Sequence, residues 1–165
     1  MPSPVTEAVV LATLLLHPIH TKLTDNHLFC MSANVYHEAR GTSIKARLGV
    51  AHVTAKRVRI QRKVIGNSTV CKIVKAPAQF SWTRQRAKIN KSKFEEDLWN
   101  DIVIMSANVM NGKTKDPTNG ATHFCERKAR GKIPWCRNAR VTAVIDNIIF
   151  VIPREKKQPS KKRRT

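Results

Sequence analysis

The apolar residues of this chain change their period near residue 112, and that change limits the fold class. Up to that point they recur at spacings of three and four, the repeat of helices with one buried face. Leu28, Met31 and Val35 share one such face, and Leu48, Ala51, Ala55 and Val58 a second. Phe94, Leu98, Ile102, Met105 and Val109 form a third. After residue 112 come three short apolar runs, 121–124, 141–145 and 148–152, of strand length and bounded by turn residues. Helices first and a small antiparallel sheet last is an α+β arrangement.

The punctuation between these runs places the boundaries. Thr24, Asp25 and Asn26 offer N-cap residues for a helix over about 27–40, with Gly41 as its C-cap. Ser43 opens a second helix to about residue 62, whose other face is dense in Arg and Lys. The apolar run 70–74 stops at Pro77, and 76–91 reads as an irregular connection. Ser92-Lys-Phe-Glu95 is a capping-box pattern opening a helix that Asn111-Gly112 ends. Asp116-Pro-Thr-Asn-Gly120 is turn chemistry, and Asp146-Asn147 predicts a two-residue hairpin.

With 165 residues the chain holds one domain and its extensions, expected at 28–153, with 1–27 before it and 154–165 after it. Its net charge is +20, of which residues 28–153 carry +15 and the tail +6, while residues 1–27 carry −1. A field of that sign attracts polyanions, among them nucleic acid and anionic wall polymers. The tail reads as disordered by self-repulsion. The run 9–16 is apolar but has no Lys or Arg ahead of it and follows Glu7, so it reads as a short helix packed on the domain rather than a secretory signal. No apolar run reaches the length of a membrane helix.

Among the groups able to do chemistry, Glu38 stands out. It ends an apolar helix in Asn34-Val-Tyr-His-Glu-Ala-Arg-Gly41, where a loop admits substrate. Burial there raises a carboxyl pKa toward that of a general acid, while Arg40 and the basic field oppose it. Phe80, Trp82 and Trp135 lie in predicted loops beside Gln79, Ser81 and His123. Aromatic rings with amide and hydroxyl neighbours suit sugars or stacked bases. The cysteines, with His37 and His123, lack the close spacing of a zinc site. Cys125 and Cys136 bracket a span that a disulfide closes in an oxidising compartment, and four buried free thiols is the alternative. No nucleophile elbow, P-loop or dinucleotide fingerprint occurs.

Four blocks, in order, carry a resemblance. They are Val35-Tyr-His-Glu-Ala-Arg-Gly41, Gly49-Val-Ala-His-Val-Thr-Ala-Lys-Arg-Val58, Val70-Cys71 with Gln79-Phe80-Ser81, and Asp116-Pro-Thr-Asn-Gly-Ala-Thr-His-Phe124 with Pro134-Trp135. Together they resemble the cell-wall hydrolase family of the spore-cortex-lytic type, which also includes phage endolysins, over about residues 28–150. The resemblance implies a small lysozyme-like, lytic-transglycosylase-like domain that cuts peptidoglycan between N-acetylmuramic acid and N-acetylglucosamine, with no metal or cofactor. It implies Glu38 as the catalytic acid. It implies Tyr36, Gln79, Phe80, Ser81, Trp82, Thr122, His123, Phe124 and Trp135 as substrate-binding residues. A monomer is implied, made in the cytoplasm and acting on the wall, bound to anionic wall polymers, helped across the membrane by a holin-type partner and needing no nucleic acid. Thr42 stands where the family has a second Glu, Lys56 where it has Asn, and Asn147 where a His often stands. Without that Glu, a one-acid transglycosylase is favoured over a hydrolase, for which Asp116 and Glu126 are the candidate second carboxylates. The rival readings are a basic nucleic-acid-binding module and a wall-binding protein that kept the fold without the activity.

Overall fold

Helix α1 (His27–Ala39) is surrounded by protein. In the computed structural model, which describes residues 27–77, 79–83 and 95–154, every residue from Cys30 to Tyr36 is buried. A helix apolar or satisfied all round belongs at the centre of a domain rather than on its surface. α1 is therefore not the one-faced helix that the spacing of Leu28, Met31 and Val35 predicts. Its small and polar residues pack as well, because each polar group finds a partner. Ser32 Oγ donates to the Leu28 carbonyl at 2.8 Å, and Asn34 Nδ2 donates to Thr54 Oγ1 at 3.1 Å.

Three helices pack around α1: α2 (Ile44–Ile65), α3 (Val70–Lys75) and α4 (Glu96–Met110). Ser43 caps α2 as expected, its side chain accepting the Ala46 amide, and Gly66 ends it at φ 72°. α2 is buried from Gly49 to Thr54, and from Arg59 onward it is exposed and carries Arg59, Arg62 and Lys63. Gly41 is not a left-handed cap; the end of α1 is held instead by Thr42, whose hydroxyl donates to the Ala39 carbonyl at 2.8 Å. Thr69 caps α3. Helix α4 begins one turn later than the capping box predicts: Glu95 occupies the N-cap itself, without a side-chain cap bond. Ser92 and Phe94 lie outside the described residues, as do the apolar run 9–16 and the tail from 155.

The sheet follows. Strands β1 (His123–Glu126), β2 (Arg140–Ile145) and β3 (Ile148–Ile152) are antiparallel in the order β1-β3-β2, with an irregularity between Val141 and Ala143. A short helix α5 (Pro134–Arg137) precedes β2. β1 starts two residues later than the apolar run because the preceding turn is tightly held. Asp116 accepts hydrogen bonds from the Thr118 amide and hydroxyl and from the Gly120 amide, with Asn119 and Gly120 both at positive φ. Asp146 turns the expected hairpin at φ 53°, and its carboxylate accepts the Ser43 amide at 2.7 Å. The last hairpin is thereby fastened to the start of α2.

Two further contacts lock sheet to helices. A Cβ on Gly49 of α2 would lie 2.6 Å from Phe150 Cζ, so the ring of β3 rests on bare helix backbone. All four cysteines are paired, which decides between the two states left open by the sequence: Cys30–Cys71 joins α1 to α3, and Cys125–Cys136 joins β1 to α5. Gly49→Ala is expected to lose about 1–3 kcal/mol of stability through overpacking, measured by denaturant unfolding, with Gly131→Ala, which meets nothing within 4 Å, as the comparison. Removing Cys30–Cys71, with a separation of 41 residues, is expected to lower the melting temperature more than removing Cys125–Cys136, with 11, since the longer loop frees more chain entropy when opened.

Candidate active site

Glu38 lies in the last turn of α1, where that helix leaves the core. His37 before it is exposed, Glu38 is partly buried and Ala39 is buried again. Burial pushes the Glu38 carboxyl up to about 7, and the nearby Glu126 carboxylate adds to the rise. Desolvation therefore prevails over the basic field of the chain. Arg40, the nearest cation in sequence, lies over the Tyr36 ring and acts on His37, whose pKa is lowered by burial and by that charge.

The turn 79–83 is seated on the end of α1, against Asn34 and His37. Asn34 Oδ1 accepts the indole N–H of Trp82 at 3.2 Å, and the Trp82 ring stacks on His37 at 4.5 Å. Asn34 is four residues before Glu38, so the two occupy one helix face. That spacing was the available sequence signal for Asn34, which reading for acids and aromatics passes over. Trp82 is half-buried in a 3₁₀ turn (Ser81–Thr83), with Gln79 and Ser81 exposed on it.

A row of side chains continues from this turn along β1. Phe80 stacks against Phe124 at 6.3 Å, and Phe124 meets Phe150 at 6.1 Å. His123 Nδ1 is hydrogen-bonded with Thr122 Oγ1 at 2.9 Å, and its ring lies 5.5 Å from Trp135, which is exposed on α5. Burial and the Arg57 guanidinium lower the His123 pKa. Arg57 itself, half-buried on α2, lies 5.7 Å over the Phe80 ring. Sequence reading saw it only as one of many basic residues on its helix.

Two of the aromatic residues are too deep to offer a surface. Tyr36 is 2% exposed, its hydroxyl accepting the Glu95 amide at 3.3 Å, so it joins α1 to the start of α4. Phe80 is 5% exposed and supports its neighbours from below. Gln79, Ser81, Trp82, Thr122, His123, Phe124 and Trp135 retain accessible surface on or near the row.

The two candidate second carboxylates separate. Asp116 is turned into its own loop, where hydrogen bonds from Thr118 and Gly120 hold its pKa down against desolvation, and its charge partner is His52. It lines, with His52, Met31 and Arg59, a cavity of 490 Å³ that Glu38 does not reach. Glu126, at the far end of β1, is the acid that acts on Glu38. It is exposed and bridged to Lys128 at 3.1 Å. Lys56, where the family has Asn, reaches toward the Gly120 turn rather than this row. Among the described residues no group of three His, Cys, Asp or Glu side chains is arranged to hold a metal.

A family model described as Cell Wall Hydrolase matches residues 41–151. The chain belongs to that family. The matched span holds α2, the aromatic turn and the whole sheet, and it begins just past Glu38. This cell wall hydrolase is thus a peptidoglycan-degrading enzyme on a small α+β domain, and no helix among the described residues is long and apolar enough to cross a membrane. No curated protein and no solved structure matches the chain.

The raised pKa has a cost in stability that can be measured. Between pH 4.5 and about 7 the folded protein holds a proton on Glu38 that the unfolded chain has released, so stability falls as pH rises through that window. Glu38→Gln removes the effect. Its unfolding free energy is expected to match the wild type near pH 4.5 and to exceed it increasingly toward pH 8, by up to about 3 kcal/mol, read from denaturant unfolding of both proteins across that range.

Proposed function

We propose that this cell wall hydrolase cuts the glycan strand between N-acetylmuramic acid and N-acetylglucosamine as a lytic transglycosylase, with Glu38 as its single acid–base group. The observation that carries the reading is a carboxyl that burial pushes up to about 7, at the end of a helix whose adjacent His37 stacks on Trp82, on a domain that also presents His123 and Trp135. A general acid must hold a proton near neutral pH, and a sugar chain suits such side chains. Hydrolysis by the usual route requires two carboxylates flanking the bond. The muramic sugar carries its own nucleophile, the C6 hydroxyl. Glu38 protonates the glycosidic oxygen as the bond to C1 breaks. Its carboxylate then takes the C6-hydroxyl proton while that oxygen bonds to C1 and closes a 1,6-anhydro ring. The proton is returned to Glu38 and no water is consumed.

One observation favours a second reading, hydrolysis with Glu126 as partner: Glu126 is close enough to raise the Glu38 pKa. The nucleic-acid module accounts for the basic half of α2 but gives Glu38 no task. In either glycosidase reading, the +15 carried by residues 28–153 holds the enzyme on anionic wall polymers and loosens with salt. A role in phage lysis, with a holin-type partner providing passage, or in spore-cortex and wall turnover fits this activity, as does a monomer of lysozyme-like ancestry.

Mass spectrometry of digested peptidoglycan tests the proposal. Fragments ending in 1,6-anhydro-muramic acid are expected from the wild type and from Glu126→Gln, and none from Glu38→Gln. Reducing muramic ends that disappear in Glu126→Gln mean hydrolysis instead. The rate is expected to fall as pH rises through about 7, when Glu38 loses its proton. In Glu126→Gln that fall moves to lower pH, because the like charge that raises Glu38 is gone.

A further inference from the structure

Among the described residues Arg57 has no counter-charge. Its guanidinium is half-buried, and desolvation lowers its pKa. Among the described residues the single ion pair is Lys128–Glu126, and no hydrogen-bond acceptor or carboxylate engages Arg57; what it touches is the face of Phe80. The connection that follows this turn, residues 84–94, contains no Asp or Glu. Partly desolvated charges in proteins are ordinarily paired, and a lone one is costly to keep. The family match covers Arg57 but assigns it no role.

Its position ties the missing partner to the glycan-binding row. Phe80 lies under Arg57 and two residues from Trp82, which stacks on the neighbour of Glu38. His123, which feels the Arg57 charge, begins the strand that Glu126 ends. At about 3.3 Å per residue, those two ends of β1 are about 10 Å apart. Arg57 thus sits along the row from the catalytic end, not at it. Among the described residues, the groups shown around Arg57 are the Phe80 ring and His123. His123 is held toward its neutral form, and Lys56 Nζ lies near Gly120. A planar guanidinium beside an aromatic face matches the planar carboxylate of a sugar in shape and charge.

We propose that Arg57 binds a carboxylate carried by the muramic sugar, so that the enzyme reads the muramic residues of the strand and not merely an amino-sugar polymer. This rests on the glycan-cleavage reading of the preceding section. Two sources supply that carboxylate: the lactyl group of a muramic acid whose peptide has been removed, and the stem peptide where it is present.

Calorimetric binding to Glu38→Gln, which leaves the strands intact, tests the proposal with three ligands. They are soluble peptide-bearing glycan strands, the same strands stripped of peptide by an amidase, and chito-oligosaccharide of equal length, which has no carboxylate. Adding Arg57→Gln is expected to weaken one or both muramic ligands by about tenfold to a hundredfold and to leave chito-oligosaccharide unchanged. Loss confined to peptide-bearing strands assigns the stem carboxylate, and loss on stripped strands assigns the lactyl group. Arg57→Lys, which keeps the charge without the planar fork, is expected to recover part of the affinity, with melting curves confirming that each variant is folded. Equal weakening on all three ligands, or none on any, overturns the assignment to Arg57 while leaving the glycan reading standing. Failure of the Glu38→Gln protein to bind any of the three overturns the glycan reading itself.

Discussion

Burial of α1 from Cys30 to Tyr36 is the constraint on which the other arrangements rest. A helix enclosed on all sides must satisfy each of its polar groups internally, because water is excluded from them. Ser32 does so within its own helix, while Asn34 reaches in two directions, to Thr54 of α2 and to the Trp82 indole. The same side chain that makes the core polar-tight therefore positions the turn on the end of α1. Glu38 in turn owes its raised pKa to partial burial where this helix emerges, with no ion pair to it among the described residues. Stability of the centre and reactivity at its rim have one source.

Elements governed by local chemistry were legible in the sequence. The Ser43 cap and the Asp116–Gly120 turn follow from side chains bonding to backbone a few residues away, and the two-residue hairpin from an Asp that takes up positive φ. The α+β order followed from the change of period, and Glu38 from its helix-end context. What was not legible depends on partners distant in sequence. Nothing within residues 27–39 says that neighbours would cover all its faces, or that Cys30 would meet Cys71. Tyr36 and Phe80 are aromatic residues of a site-like motif, yet tertiary packing takes both into the core. Asp116 and Glu126 looked equivalent as acids; only the fold turns one into its loop and the other toward Glu38.

The electrostatic character of the site differs from that of the molecule around it. The chain is strongly basic, yet the charge acting on Glu38 is negative, and the basic half of α2 lies beyond the core. A cationic exterior serves long-range capture of a polyanion, whereas proton transfer is set by contacts at close range, where burial outweighs the field. The two demands are met by different parts of one small domain.

The contacts between residues 146–150 and the start of α2 also bear on how this chain comes to be folded. Asp146 receives the Ser43 amide across 103 residues, and Phe150 fills the place that a side chain at Gly49 would have taken. Both are among the last parts of the domain to be synthesised, and both complete a helix made near the beginning. Such long-range closure slows folding, since most of the chain must be gathered before the contact rewards it. A nascent chain therefore holds α2 without its anchor and its apolar backbone without its cover until the ribosome has passed the final strand. Helix α2 reaches its finished surroundings only once the last strand has been made.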